Sequence, residues 1–218
     1  MGDFDFSVIF DNMPFLLKGM QTTLLLTALA MFGGIVLGTL LALARISSIK
    51  PLSFVAASYI NFFRSLPLIL VIFWFYFLVP LVLGRPVGGF YSVLVAFTLF
   101  EAAYYAEIIR AGITSVRAGQ FQAARAFGLS YGQSMRFVVL PQAFRAMIPI
   151  LLTQGIILFQ DTSLVYVVGL KDFLVSAELI ANRDQRLIEM FTFVAIVYLA
   201  ISYCASQGVR FLQRRMQR

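Results

Sequence analysis

The chain has 218 residues, of which 61% are hydrophobic and 12% are charged, and its mean hydropathy is +0.89. These values exclude a soluble globular protein and predict an all-α integral membrane protein. Histidine is absent, which removes the most common acid–base group and metal ligand, and no G-x-x-x-x-G-K-[ST] loop is present to bind ATP. We therefore expect no catalytic residue, no metal site and no cofactor bound by this chain.

Five apolar stretches are long enough to cross a bilayer, which takes about 20 residues in a helix. In chain order they are 20–44, 54–83, 87–109, 148–170 and 188–212. Little of the chain is left over for a soluble domain. We therefore predict a single transmembrane domain over residues 1–218, built from five transmembrane helices.

The distribution of basic residues predicts the orientation of these spans. With the N-terminus outside, the inner segments are 45–53, 110–147 and 210–218, and they contain basic residues but no acidic one. The outer segments mix both signs of charge. We expect the N-terminus outside and the C-terminus inside, and we interpret the net charge of +7 as a topology signal rather than a nucleic-acid site.

Charged side chains inside an apolar span are costly, so each one is a candidate functional residue. Arg64, Glu101 and Asp161 fall in the second, third and fourth spans, and a rise of about 1.5 Å per helical residue places all three near mid-depth. Pro67 lacks an N–H, so we expect it to free the carbonyl of Phe63 and to act as a hinge. Interrupted helices at mid-depth are typical of transporter substrate sites.

The chemistry of these groups suits an amino-acid zwitterion. An arginine can hold a carboxylate with two parallel hydrogen bonds, and Asp161 or Glu101 can hold an α-ammonium group. The alternative is structural, with Arg64 permanently paired to one of these acids or facing the aqueous interface. The candidate pathway residues are Arg64, Ser65, Glu101, Tyr104, Gln160, Asp161, Thr162 and Ser163.

The segment between the third and fourth spans is the long hydrophilic part of the chain. Its sequence GQFQAARAFG, from Gly119 to Gly128, predicts a short helix that ends with Gly128 at the position after the C-cap. Ser130 and Gln133 then form a capping-box pattern, which opens a second helix that Pro141 is expected to interrupt.

Three alanines make the first of these helices slim, and Phe121 and Phe127 give it apolar contact groups. This combination is typical of a helix that docks into a groove of a partner. From these features alone, a segment that only packs on the membrane face is an equal alternative.

The spacing in this segment resembles the EAA loop of ATP-binding-cassette (ABC) import permeases. Their pattern is E-A-A-x-x-x-G, nine further residues and I-x-L-P, and this chain matches it with Gln122-Ala123-Ala124, Gly128 and Val138-Val139-Leu140-Pro141. A glutamine replaces the glutamate, and a valine replaces the isoleucine. The resemblance implies that residues 119–141 form a coupling helix that docks in a cleft of an ATPase subunit.

The resemblance extends over nearly the whole chain. NFFRSLPL (61–68), AAYYAEIIRAGI (102–113) and QDTSL (160–164) are similar to polar amino-acid permeases of the histidine/glutamine/arginine type. Within that family, residues 140–167 are most similar to a permease subunit of bacterial glutamate/aspartate importers. The implied architecture is that of a type I ABC importer permease, with the coupling loop between spans three and four. The implied coupling residues are Gly119, Gln122, Ala123, Ala124, Phe127, Gly128, Leu140 and Pro141.

The same resemblance implies the partners. They are a dimer of ABC ATPase subunits that binds ATP and magnesium, a second, related permease chain, and a periplasmic amino-acid-binding protein, all at a bacterial inner membrane. We expect the outer segment 171–186, which mixes acids and bases, to be a polar loop that either contacts the binding protein or is only solvated.

The alternatives to a glutamate/aspartate permease are a permease for glutamine, histidine or arginine and, further away, a passive channel or a structural membrane subunit. A passive channel or a structural subunit would leave the predicted docking helix, from Gly119 to Gly128, unexplained.

Overall fold

The structure is a computed structural model and describes residues 6–216. Over this range it is helical, without strands. The α-helices in chain order are α1 (Ser7–Asp11), α2 (Met13–Ile46), α3 (Lys50–Arg64), α4 (Leu68–Phe73), α5 (Val79–Leu83), α6 (Gly89–Thr114), α7 (Ala118–Ala126), α8 (Tyr131–Ser134), α9 (Leu140–Asp161), α10 (Phe173–Asp184) and α11 (Leu187–Met216).

Three segments of other helix types continue these α-helices. A π-helical turn, Trp74–Leu78, joins α4 to α5, and another, Met135–Val139, joins α8 to α9. A 3-10 helix, Thr162–Val168, continues α9. Because α8 leads into α9 and on into the 3-10 helix, residues Tyr131–Val168 form one helical run.

The helix ends carry residues that suit their positions. Pro51 lies in the first turn of α3, where its missing N–H costs no intrahelical bond. In α11, Glu189 lies in the first turn and Arg214 and Arg215 lie in the last, so both signs of charge complement the helix dipole.

Four helical runs are long and apolar enough to cross a membrane: α2, α6, Tyr131–Val168 and α11. A fifth candidate span is the bent pair formed by α3 and the run Leu68–Leu83. Counting this pair as one span gives the five predicted from the sequence, and the prediction of an all-α membrane protein is confirmed.

The second span ends at its proline instead of only loosening there. Helix α3 stops at Arg64, Pro67 is extended with ψ of 134°, and α4 begins after it. The carbonyl of Phe63 is not free as expected, because the N–H of Leu66 donates to it at 3.3 Å. A tight terminal turn therefore uses the acceptor that a simple kink would have exposed.

Pro141, by contrast, does not interrupt its helix. It is the second residue of α9, directly after the π-helical turn, whose last bond runs from the N–H of Leu140 to the carbonyl of Met135. The missing N–H of Pro141 therefore falls where the hydrogen-bond spacing changes from five residues to four. The helix passes through the proline at this change, and our expectation of an interruption was wrong.

The chain divides into two compact units. Unit 1 comprises the described part of Met1–Phe32, together with Pro67–Thr98 and Gly155–Ser206. Its core packs α10 with apolar residues of α1, α2 and α11; the buried members are Ile9, Leu16, Phe173, Ala177, Ile180, Ala181, Met190 and Val194.

Unit 2 comprises Gly33–Leu66, Leu99–Gln154 and the described part of Gln207–Arg218. Its core joins α2, α3, α6 and α9 through the buried residues Ala42, Ile60, Ala106, Ile109 and Met147. Helix α2 lies very close to α6 at Gly38, where a Cβ would stand 2.8 Å from the Cβ of Tyr105 and 2.9 Å from the carbonyl oxygen of Ala102. Because glycine has no side chain, the two backbones can pack this closely, and the contact fixes the position of α6 in unit 2.

Candidate functional site

Residues 119–141, the predicted coupling segment, begin in a short exposed helix inside unit 2. Helix α7 follows Arg117, whose backbone is extended with ψ of 132°. Ala124 is buried against the rest of the unit, whereas Gln122 and Ala123 are exposed. Phe127, directly after the helix, is 88% exposed. The ring is therefore available for contact with a partner surface.

The end of α7 is a complete Schellman turn at Gly128. This glycine has φ of +82°, its N–H donates to the carbonyl of Arg125 at 3.0 Å, and the N–H of Leu129 donates to that of Ala124 at 3.2 Å. The left-handed conformation favours glycine because a side chain would clash with the backbone. The prediction that Gly128 follows the C-cap is confirmed.

The next helix begins with the predicted capping box. The Oγ of Ser130 accepts from the N–H of Gln133, and the Oε1 of Gln133 accepts from the N–H of Ser130 at 2.8 Å. The rings of Phe121 and Tyr131 meet edge to face at 5.6 Å, which joins α7 to α8. The two helices are thus held at a defined angle by contacts that are all local in sequence.

The remaining predicted coupling residues have simpler surroundings. Gly119 is the second residue of α7 and is exposed, and a Cβ there would meet no atom of the described chain within 4 Å. Leu140 begins α9 and is half-buried, and Pro141 is exposed. Gly119 and Pro141 are therefore open to solvent, whereas Leu140 is partly packed within unit 2.

Unit 2 also contains three of the charged or aromatic groups predicted for the pathway. Arg64, the last residue of α3, is exposed, and its guanidinium carbon lies 5.6 Å from the ring centroid of Tyr104. Ser65 is exposed, and its Oγ donates to the carbonyl of Asn61 at 2.7 Å. Among the described residues of unit 2, Arg64 forms no salt bridge, so the alternative of a permanent pair with Glu101 is not seen.

Glu101 is fully buried in α6 and has an amide partner instead. The Nε2 of Gln154 donates to its two carboxylate oxygens at 3.3 and 3.1 Å. Sequence reasoning missed Gln154, because the pair is 53 residues apart along the chain. The available signal was a second amide in the apolar fourth span, six residues before Gln160.

The other four predicted pathway residues belong to unit 1, where α9 changes into the 3-10 helix. Thr162 is buried and donates to the carbonyl of Phe159 at 2.6 Å. Gln160 donates to the Oγ of Ser202 at 3.0 Å, and Ser163 donates back to the carbonyl of Gln160 at 2.8 Å.

Asp161 is the last residue of α9 and is half-buried. Within the described part of unit 1 its carboxylate has no ion-pair or hydrogen-bond partner. It is therefore the group of these four that remains available to a ligand.

The outer segment after the fourth span is a helix, which corrects the expectation of a polar loop. Asp172 caps α10 by accepting from the N–H of Val175 at 2.8 Å, and the N–H of Phe173 donates to the Oγ1 of Thr23 at 3.1 Å. Asp172 is fully buried, its Oδ2 has no hydrogen-bond partner in the described chain, and this burial raises its pKa to about 6. Helix α10 forms despite its mixed charges because its apolar face packs in the core of unit 1.

The described residues form apolar helices with a short exposed helix, α7, between two candidate spans, which is the fold of a multi-pass membrane protein. The chain belongs to the family of binding-protein-dependent transport system inner membrane components, whose family model matches residues 34–218. It is therefore a multi-pass membrane protein of an inner-membrane permease family.

Its relatives are more specific. The glutamate/aspartate import permease protein GltK of Escherichia coli O6:H1 is 50% identical over 222 residues, which cover 99% of each chain. The probable glutamine ABC transporter permease protein GlnM of Bacillus subtilis is 38% identical, over 97% of this chain and 98% of its own.

Solved structures agree on the fold. A chain in the crystal structure of an amino acid ABC transporter with histidines is 33% identical and superimposes with a TM-score of 0.92, over 99% of this chain and all of its own. A chain of the inward-facing MetNI methionine ABC transporter, 22% identical, shares the fold with a TM-score of 0.77. The predicted type I importer permease architecture is confirmed.

Proposed function

We propose that this chain is the permease subunit of an ATP-driven importer for glutamate and aspartate. The observation that carries the proposal is the coupling segment, in which a Schellman turn and a capping box present the exposed ring of Phe127. Support for the substrate comes from the 50% identity to a glutamate/aspartate import permease over 99% of both chains. The relative named for glutamine keeps another polar amino acid as the second candidate.

The energy for transport comes from a partner in this proposal. A dimer of ABC ATPase subunits binds ATP and magnesium, and its closure moves the coupling segment. Docking by itself would transmit nothing, so the segment must contact the open and closed ATPase states with different free energies. The exposed Phe127 and Gln122 are the groups of α7 that we assign to this contact.

Two charged groups are proposed to handle the substrate. Arg64 is exposed beside an aromatic ring and forms no salt bridge with a described residue of unit 2, since the nearby Glu107 is paired with Arg110, so its guanidinium can donate two parallel hydrogen bonds to a substrate carboxylate. Asp161 in unit 1 is a separate candidate, because its carboxylate has no described partner there and can accept hydrogen bonds from an ammonium group. Ser65 adjoins Arg64 in the sequence, Tyr104 lies beside the Arg64 guanidinium in space, and Gln160, Thr162 and Ser163 adjoin Asp161; these are the proposed neutral polar groups. Glu101 is held by Gln154.

The remaining partners complete the importer. A second, related permease chain shares the pathway, and a periplasmic binding protein delivers the amino acid. The basic residues of the predicted inner segments support a periplasmic N-terminus and a cytoplasmic C-terminus. Pro67, where the second span breaks, is proposed as the hinge.

Uptake of labelled glutamate tests the proposal, in cells that lack this chain and in cells that carry it on a plasmid. Unlabelled aspartate, glutamine, histidine and arginine are then added in turn as competitors. We expect chain-dependent uptake that only acidic amino acids inhibit. Inhibition by glutamine, histidine or arginine would show that the chain transports another polar amino acid. The absence of any chain-dependent uptake would refute the permease function for these amino acids.

A further inference from the structure

Unit 2 contains a cavity of about 380 Å³ that none of the proposed transport steps uses. It lies beside the first turns of α9 and the last turns of α11. The lining residues are Gln142, Arg145, Ala146, Pro149, Gln213 and Met216. It does not include Phe127 or any of the charged groups inside the spans.

The position of the cavity along the chain places it at the edge of the bilayer. Arg145 precedes the apolar stretch 148–170 by three residues, and Gln213 directly follows the stretch 188–212. The start of the first stretch and the end of the second therefore lie at the level of this cavity. At that level a membrane protein faces the phosphate and glycerol groups of the lipids.

The lining has two chemically different sides. Arg145, Gln142 and Gln213 supply polar donors, and Ala146, Pro149 and Met216 supply an apolar surface. Gln142 uses one amide hydrogen on the carbonyl of Val138 at 2.9 Å.

Arg145 has no compensating charge nearby. It makes no ion pair within the described part of unit 2, and neither 110–147 nor 207–216 contains an acidic residue. Its positive charge therefore faces the cavity uncompensated.

We propose that this cavity binds the headgroup of an anionic phospholipid. The guanidinium of Arg145 contacts the lipid phosphate, the two glutamine amides contact the polar headgroup, and the apolar side receives the glycerol and the start of the acyl chains. An arginine suits a phosphate better than a lysine would, because its planar fork donates two hydrogen bonds at once. The apolar side favours a lipid over a free phosphate ion, and the proposal does not depend on which amino acid is transported.

Photolabelling of the assembled importer in lipid nanodiscs tests the site. The discs contain phosphatidylcholine and a fraction of phosphatidylglycerol with a photoreactive acyl chain, and mass spectrometry locates the label. We compare the wild type with Arg145→Gln and with the control Arg136→Gln, which removes the same charge outside the cavity. We expect labelling of 142–149 and 213–216 to fall about fivefold in Arg145→Gln and to stay unchanged in Arg136→Gln.

A second variant, Ala146→Phe, keeps the charge and narrows the cavity, and it should also lower the labelling. If Arg145→Gln does not assemble, the labelling of Ala146→Phe tests the proposal in its place. Equal labelling of all variants, or equal labelling by a photoreactive phosphatidylcholine, would overturn the proposal. So would displacement of the label by millimolar inorganic phosphate, which indicates a free-anion site. Labelling that appears only when the ATPase subunits are omitted would also overturn the proposal, because the partner protein would then cover the cavity in the assembled importer.

Discussion

Arg64 is the residue whose position is hardest to explain by packing alone. A guanidinium within a candidate membrane span is costly, and this one has an aromatic neighbour but forms no salt bridge with a described residue of unit 2. A cation–π contact with Tyr104 at an exposed site contributes only about 0.5–1 kcal/mol. We therefore propose that Arg64 also has a partner outside this chain, and a substrate carboxylate fits that role.

Replacement of Arg64 tests this assignment. We expect Arg64→Gln to lower glutamate uptake at least about tenfold, because a charge-assisted hydrogen bond contributes about 1.5–3 kcal/mol. Arg64→Lys should be intermediate, since an ammonium group keeps the charge but loses the second parallel bond. The measurement is initial uptake at several glutamate concentrations in cells with equal amounts of the chain. The control is Arg85→Gln, outside the helices, and normal uptake by Arg64→Gln would contradict the role.

Asp172 predicts a pH dependence of stability. Its pKa is about 6 in the folded chain and about 4 when unfolded. Between these values the folded state keeps a proton that the unfolded state has lost. The free energy of unfolding therefore falls as the pH rises from about 4 to about 6, and it changes little above that range.

Asp172→Asn keeps the oxygen that caps Val175 but cannot ionise. We expect this variant to be more stable than the wild type by about 1–2 kcal/mol near pH 7, with a flat profile between pH 4 and pH 6. Thermal unfolding in detergent over this pH range measures the difference. The control is Asp184→Asn, which removes a surface carboxyl. Arg183 pairs with this carboxyl and lowers its pKa, so the control should be less stable than the wild type at neutral pH, not more stable. Identical profiles for the wild type and Asp172→Asn would contradict the account.

At the level of elements, the turn between α7 and α8 sets the direction in which the coupling helix is presented. Gly128 holds a left-handed conformation that costs a β-branched residue roughly 1–2 kcal/mol. We expect Gly128→Val to distort the Schellman turn and to uncouple ATP hydrolysis from uptake. In purified importer, ATPase activity should continue while glutamate transport per ATP falls severalfold.

The matched control for that change is Gly132→Ala. Gly132 lies in α8 without a positive φ, and a Cβ there would meet no atom of the described chain within 4 Å. We expect this variant to transport normally. Full coupling in Gly128→Val would show that the geometry of the turn does not transmit ATPase closure.

The exposed ring of Phe127 gives a separate test of the same element. Because it is 88% exposed, Phe127→Ala should leave the thermal stability of the isolated chain within about 0.5 kcal/mol of the wild type. It should weaken association with the ATPase subunits roughly tenfold or more, as expected for an aromatic group at the centre of an interface. Titration of the ATPase onto permease in detergent measures this affinity. Unchanged affinity would place the contact elsewhere on the segment.

Local features of these elements were predictable from the sequence, and features that depend on packing were not. The capping box at Ser130 and the turn at Gly128 are formed by residues within five positions of one another, so spacing alone predicts them. Pro67 and Pro141 look equivalent in sequence, yet one ends a helix and the other does not, because a π-helical turn precedes the second.

Long-range features escaped prediction for the same reason. The pair of Glu101 with Gln154 joins two helices, and neither residue indicates the other. The segment 171–186 contains mixed charges, and its helix forms because Phe173 and Ile180 face the core of unit 1.

At the scale of the whole molecule, the chain is a membrane permease component, and we propose that transport is driven by ATP hydrolysis in a partner subunit. It contains no P-loop motif, and its coupling segment lies wholly in unit 2. A passive channel with the same helices would need no such segment. The distinction between the two is thermodynamic, because only a driven importer can accumulate its substrate against a gradient.

The most direct test is therefore accumulation of labelled glutamate by proteoliposomes. They contain this chain with its partner permease and ATPase subunits, and the binding protein is supplied on the outer side. We predict that glutamate rises above its external concentration only when ATP and magnesium are inside, and that Gly128→Val abolishes the rise while ATP is still hydrolysed. Glutamate that equilibrates without ATP and never exceeds the external concentration would contradict the account and identify a passive pathway.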